Sequence, residues 1–192
     1  MKKIGEAELL SLYASGKRDF SEIDISEANL FEANLQGINL TDSNLQKTYL
    51  PYSNLSQAQL QHSQLQCIQL SDAKLYQTNL SEANLEEANL FRATLRHANL
   101  RGANLAYANL QGADLSNADL TGANLSYADL SGANLRKTNF TNTQLKGSNL
   151  FRSQYANLSN ACLDNSTVCP DGHHPNELQS CERIEPETGI IS

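Results

Sequence analysis

Thiols and imidazoles gather near the end of the chain, where Cys162, Cys169, His173, His174 and Cys181 fall within twenty residues of one another. Residue types of this kind at this spacing can be crosslinked or can hold a metal. Cys169 and Cys181 have eleven residues between them and flank the turn-rich Cys169-Pro170-Asp171-Gly172. A disulfide there, with Cys162 as the alternative partner, would lock a loop worth about 3 kcal/mol in the chain-entropy account. Reduced thiols are the competing reading, and compartment decides between them. Cys169, His173, His174 and Cys181 are also zinc-type ligands. Adjacent His side chains point apart, however, and no C-x-x-C element frames them, so no metal or other cofactor is expected. The fourth cysteine, Cys67, stands alone. Nowhere does the sequence bring together a nucleophile, a base and an orienting group, and it has no glycine-rich phosphate loop. No catalytic residue is assigned and the chain is not read as an enzyme.

Composition explains why an ordinary folded core is not expected either. The 192 residues include no Trp and one Met, aromatics are 6%, and Leu, Asn, Ala, Ser and Gln dominate. The net charge of −7 is uneven. Residues 1–19 carry four basic and three acidic groups, residues 20–155 nine and twelve, and residues 156–192 one and six. The body is close to neutral and carries no basic footprint for nucleic acid. Glu6 and Glu8 interrupt the N-terminal apolar run, so neither a signal peptide nor a membrane span is expected, which favours the cytoplasm. A disulfide in the tail would argue for a periplasmic or lumenal compartment instead.

What must position these groups is a repeat of five. From Phe20 a large apolar residue recurs at every fifth position through Ile25, Leu30 and Leu35 to Leu150 and Tyr155, and a small residue stands two before most of them. Examples are Ala103 before Leu105, Ala108 before Leu110 and Ala123 before Leu125, with Leu85 and Leu90 in the same series. On a helix, five residues advance about 500°, which would scatter the leucines around every side. On a straight strand every second leucine would face water. Only a path that turns once per repeat keeps them all inside. The two residues after each Leu, often Ser-Gly, Thr-Gly or Gln-Gly, suit a corner. Four corners close a square of about twenty residues, giving a parallel β-helix of stacked coils.

The motif A-[DN]-L-x-x, as in Ala103-Asn104-Leu105 and Ala118-Asp119-Leu120, resembles that of the pentapeptide-repeat family over roughly residues 20–155. The resemblance implies an all-β solenoid, a right-handed quadrilateral β-helix of about seven coils, roughly 35 Å long at the usual strand spacing. It also implies a bacterial origin. Some members, the quinolone-resistance pentapeptide proteins, imitate duplex DNA and act on DNA gyrase. That role needs a strongly negative surface, which Arg92, Arg96, Arg101, Arg136 and Lys137 oppose here. A filled rod offers no internal pocket but long exposed faces, so the leading expectation is a protein-binding or scaffold rod, monomeric or weakly dimeric. DNA mimicry and a redox- or metal-responsive tail are the alternatives.

A solenoid must also cover its ends. Residues 1–19 are expected to supply a short amphipathic helix carrying Leu9, Leu10, Leu12 and Tyr13, closed by Gly16. Residues 156–192 are expected to form a last partial coil centred on Leu158, Leu163 and Val168, an irregular cap and an acidic tail. Twenty-residue stacking places Tyr107 beside Tyr127 and puts Phe31, Phe91 and Phe151 on one edge as a candidate interaction surface. It also gathers Arg96, His97, Arg136 and Lys137 on one face, and Glu27, Glu86 and Glu87 on another. A charge set into the leucine ladder by Leu105→Lys is expected to unfold the rod cooperatively. A thermal melt unchanged from wild type would contradict the inward orientation.

Overall fold

The computed structural model of the protein describes residues 1–175. Its regular elements are few: β1 (Lys2–Lys3), α1 (Glu6–Ala14) and β2 (Ile23–Asp24). The remainder is a succession of short turns joined by single-residue parallel bridges twenty residues apart, from Asp19↔Asn39 to Asn134↔Gln154. Four bridges fall in each twenty residues, which gives four faces.

The turn is the same at each step. The carbonyl of the central Leu accepts the N–H of the residue three on, as from Ala88 to Leu85 (3.0 Å) and from Ala103 to Leu100 (3.1 Å). The residue before that donor is left-handed, with φ 57° at Glu87 and 64° at Gly102, which is the pattern of a type II turn. At these positions from Glu22 to Arg152, Gly37, Gly102, Gly112, Gly122, Gly132 and Gly147 are the only glycines. The others are ordinary residues held where L-amino acids pay roughly 1 kcal/mol or more. What offsets that strain lies between coils. Leu100 N–H donates to the Asp119 carbonyl (2.8 Å), and Asn99 N–H to the Thr78 carbonyl (3.0 Å), so each short segment bonds to the coil on either side.

Inside, the leucines from Leu80 to Leu135 are completely buried, Leu85, Leu90, Leu105, Leu110 and Leu125 among them, with Ala103, Ala108 and Ala123 beside them. Each such Leu contributes about 1.5–3 kcal/mol by leaving water. Most hydroxyls that replace the inward Ala find an acceptor, Ser53 and Ser153 being buried without one. Thr78 and Thr143 Oγ1 donate to the carbonyls of Leu55 (2.8 Å) and Leu120 (2.7 Å).

At the N-terminal end β1 pairs parallel with β2, Lys2 opposite Ile23 and Lys3 opposite Asp24. In α1, Leu9 is fully buried in the same cluster as Ile4, Phe20 and Ile25, with Leu12 and Tyr13 packed at its edge. Leu10 does not join them and stays exposed, because it projects from the helix beside Leu9 instead of one turn away. Gly16 (φ 101°) ends the helix. Its N–H goes to the Tyr13 carbonyl and that of Lys17 to the Leu12 carbonyl, the two bonds of a Schellman ending. Glu6 accepts the otherwise unpaired N–H of Asn29 on the first coil (3.1 Å).

At the other end the regular grid stops one step earlier than expected. Tyr155 is the most exposed of the aromatic rings at 67% and has φ 60°, so it is no core residue. The chain cuts across, and the bridges shorten to Gln144↔Cys162 and Asn149↔Val168. Leu163 is buried and Leu158 partly so. Val168, expected as a centre, instead occupies the place of Asn149, while Thr167 points inward with its hydroxyl on the Leu145 carbonyl (2.7 Å). One extra residue between Leu163 and Thr167 shifts the pattern.

The residues between the core positions form ladders along the outside. Each Asn or Asp accepts the N–H two residues on, as Asn104 does from Ala106 (3.2 Å). Each Asn can also donate its amide to the coil before, as in Asn104 to Asn84 and Asn124 to Asn104 (both 3.1 Å). A carboxylate can only accept, so it needs an Asn twenty residues later. Asp19, Asp114, Asp119 and Asp129 receive Asn39, Asn134, Asn139 and Asn149. Burial pulls the Asp119 carboxyl upward, but Thr121 and Arg101 more than offset it and hold it below the usual range. Its contribution is therefore present above the unfolded value near pH 4 and is lost as pH falls through the lower folded value. Asn139→Asp would set two carboxylates against each other. We expect a loss of about 1–2 kcal/mol in urea unfolding at pH 7, shrinking towards pH 4 as the pair takes up a proton. A loss equal at both pH values would show that the ladder contact carries none of it.

Candidate interaction surface

The corners, where two residues per repeat point outward, carry most of the large exposed groups of the repeats, with Tyr49 and Lys74 exposed at bridge positions instead. Phe31, Phe91 and Phe151 follow Asn29, Asn89 and Asn149, which the bridges place in one column, and each Phe N–H is held by that Asn side chain (3.2, 3.2 and 3.0 Å). They share an edge, three coils apart, but are not equivalent. Phe91 is half-buried, with the Arg92 guanidinium 5.2 Å from its ring centre. Phe151 lies against Gly172, and Arg152 sits over it at 5.0 Å.

Phe31 differs from both because it has aromatic company. Its ring stacks on Tyr49 (6.2 Å, 17°) and meets Tyr52 edge-on (5.9 Å, 78°). All three remain open to solvent, at 47%, 44% and 54%. The sequence does signal this cluster, since Tyr49 and Tyr52 lie eighteen and twenty-one residues after Phe31, one coil on and to either side of its column. Period-twenty matching alone overlooks them.

On another corner Tyr107 and Tyr127 stack nearly parallel, centres 5.1 Å apart. The Tyr127 ring then lies over Gly147, where an added Cβ would come within 2.6 Å of it. Outward side chains thus lean towards the next coil, and a glycine twenty residues on receives them. The Glu82 carboxylate treats Gly102 in the same way.

Two opposite corners carry clusters of opposite charge, the acidic one mixed with Lys47 and Lys146. Glu27, Glu86 and Glu87 share one corner, and Arg96, His97, Arg136 and Lys137 occupy the corner half a coil away. The latter encloses a depression of about 360 Å³ lined by Arg96, Asp114, Ser116, Asn117, Asn134, Arg136 and Lys137. His97 meets Tyr76 edge-on at its margin (5.7 Å).

Among the described residues of the C-terminal region, His173 and His174 turn to different partners. Cys169 is half-buried, and burial and Asp171 push its thiol upward, away from the reactive thiolate. Its amide and the Gly172 N–H close the turn over Cys169–Gly172. His173 turns to Asp171 (3.4 Å) and His174 Nδ1 to the Thr167 carbonyl (2.8 Å). Cys162 lies on the shortened bridge to Gln144, and Cys181 falls outside the described residues, as does the pairing expected for it. Among the described residues, no three His, Cys, Asp or Glu side chains gather to hold a metal, and no helix is long and apolar enough to cross a membrane. Cys67 sits at the acidic corner, where burial and the neighbouring Glu87 carboxylate (3.5 Å) raise its thiol.

A family model described as pentapeptide repeats matches in eight copies, over residues 19–46, 53–90, 68–105, 83–122 and 113–150. No curated protein matches the chain. Among solved structures, HetL of the cyanobacterium Nostoc sp. PCC 7120, involved in heterocyst differentiation regulation, is 33% identical over 90% of this chain and 100% of its own, with a TM-score of 0.34. Rfr23 of Cyanothece 51142 is 29% identical over 84% of this chain and 98% of its own, with a TM-score of 0.28. Trypsin-treated QnrB1, a plasmid-mediated fluoroquinolone resistance protein, is 17% identical over 86% of each chain, with a TM-score of 0.63, a likeness of fold.

Gly147→Ala would combine a left-handed φ with a collision against the Tyr127 ring. We expect a loss of about 1–3 kcal/mol, part of it recovered in Gly147→Ala/Tyr127→Ala. A double variant no more stable than the single one would show that the ring does not rest on the glycine.

Proposed function

We propose that this chain, which belongs to the pentapeptide-repeat family, is a non-enzymatic rod of about seven right-handed coils that binds a protein partner through its aromatic corner. The observation that carries this reading is the contact of Phe31 with both Tyr49 and Tyr52 while each ring stays about half exposed. Single surface aromatics are ordinary, but three rings joined into an open patch form the kind of anchor that interfaces use. Phe151 and the Tyr107–Tyr127 stack extend the candidate surface, and Phe91 contributes its exposed edge. The interior supports the same reading from the other side, because leucine and alanine fill it and leave substrates only the outside.

Modulation of DNA gyrase by DNA mimicry is the second reading, favoured by the fold shared with QnrB1. Charge opposes it. A duplex mimic needs negative potential around the rod, and here Arg96, Arg136 and Lys137 make part of one corner basic.

A pull-down from native extract, comparing wild type with Phe31→Ala/Tyr52→Ala, tests the proposal. A partner retained by wild type and weakened at least tenfold by the double variant, whose melt is nearly unchanged, is the expected result. Equal capture by both proteins contradicts it. Inhibition of gyrase supercoiling by wild type and double variant alike would move the assignment to DNA mimicry.

A further inference from the structure

We infer that the depression between Arg96 and Arg136 is a phosphoryl-binding notch that docks a phosphorylated side chain of the protein partner. This rests on the reading of the chain as a protein-binding rod and names the chemistry of a second contact on it.

The notch follows from stacking. Arg96, Ser116 and Arg136 are successive members of one column, so the two arginines stand two coils, about 10 Å, apart. Between them Ser116 is short and nearly buried, and it leaves the space that a longer side chain would fill. Lys137 and Asn117 close the side of the depression. Its one carboxylate, Asp114, is already engaged. It accepts the Ser116 N–H (3.0 Å) and the Asn134 amide (3.1 Å), and Arg96 Nε lies 3.9 Å away. Among the described residues, no carboxylate pairs with Arg136 or Lys137, and Arg136 instead lies 5.7 Å from the Tyr155 ring centre. Three cations therefore face a single, largely satisfied anion, in a chain whose net charge is −7.

Two forked guanidiniums, an ammonium, a serine hydroxyl and an amide form a donor set suited to a dianion with three oxygens. Arginine clusters recognise phosphorylated side chains in this way. The open corner admits a side chain carried on a peptide, while its modest volume gives no cover to a larger ligand.

NMR titration with a short phosphoserine peptide, its unphosphorylated twin and inorganic phosphate tests the inference. The phosphopeptide is expected to shift the Arg96, Ser116, Arg136 and Lys137 signals saturably, with a Kd that rises with salt and rises at least tenfold in Arg96→Gln/Arg136→Gln. Both substitutions are on exposed side chains. Arg101→Gln, which removes an arginine paired with Asp119 on another corner, is expected to leave the Kd within twofold. Absence of saturable shifts, an equal response to the unphosphorylated twin, or an unchanged Kd in the double variant would overturn the inference. So would inorganic phosphate binding as tightly as the peptide, since the notch would then be an ion site without a docking role. Phe31→Ala/Tyr52→Ala leaves this titration untouched, so failure of the notch and failure of the aromatic corner are read separately.

Discussion

The hydrogen bond between coils is the interaction on which everything else depends. Each repeat bends through a type II turn whose third residue is left-handed, and most of those residues are Glu, Gln, Asp, Tyr, Arg or Lys, not glycine. Such a chain would not hold this path alone. It does so because every short segment between turns donates to, and accepts from, the coils on both sides, with core leucines closing beneath. Local strain and long-range bonding are therefore inseparable, and stability belongs to the stack. This is also why the ends need separate solutions, α1 with its buried Leu9 at one and a shortened, shifted coil at the other.

The same geometry converts a one-dimensional sequence into surface columns. A residue's outward neighbours lie twenty positions before and after it, and its opposite corner lies ten away. That rule makes the aromatic patch, the basic notch and the acidic corner separate features of one rod. It also governs the asparagine ladders, in which donors point towards the preceding coil and each bonded Asp is followed twenty residues later by an Asn. Function on such a body is a matter of which side chains a column collects, since the interior is spoken for.

Most of the fold was legible because a period of five admits no other way to bury Leu105 and its counterparts. Pairing of Tyr107 with Tyr127 and the common edge of Phe31, Phe91 and Phe151 followed from the coil length. Other features escaped because they break the period. Tyr155 fits the grid by type and spacing, yet the chain leaves the grid one residue before it. Val168 looks like a centre by hydropathy, but an inserted residue gives its place to a ladder position. The Phe31–Tyr49–Tyr52 cluster lies across neighbouring columns, where side-chain lean decides contact and position counting does not. The same holds for the notch, whose defining feature is the short side chain of Ser116 between two long ones.

The twenty-residue coil is the claim from which each surface assignment descends, and disulfide trapping tests it most directly. In a background with the native cysteines replaced by serine, Tyr107→Cys/Tyr127→Cys should oxidise to an intramolecular disulfide under mild conditions, because adjacent coils bring the two positions within bonding range. Tyr107→Cys/Asn117→Cys, ten residues apart and on opposite corners, should remain reduced. Crosslinking of the second pair, or failure of the first in a folded protein, would contradict the coil and the surfaces derived from it.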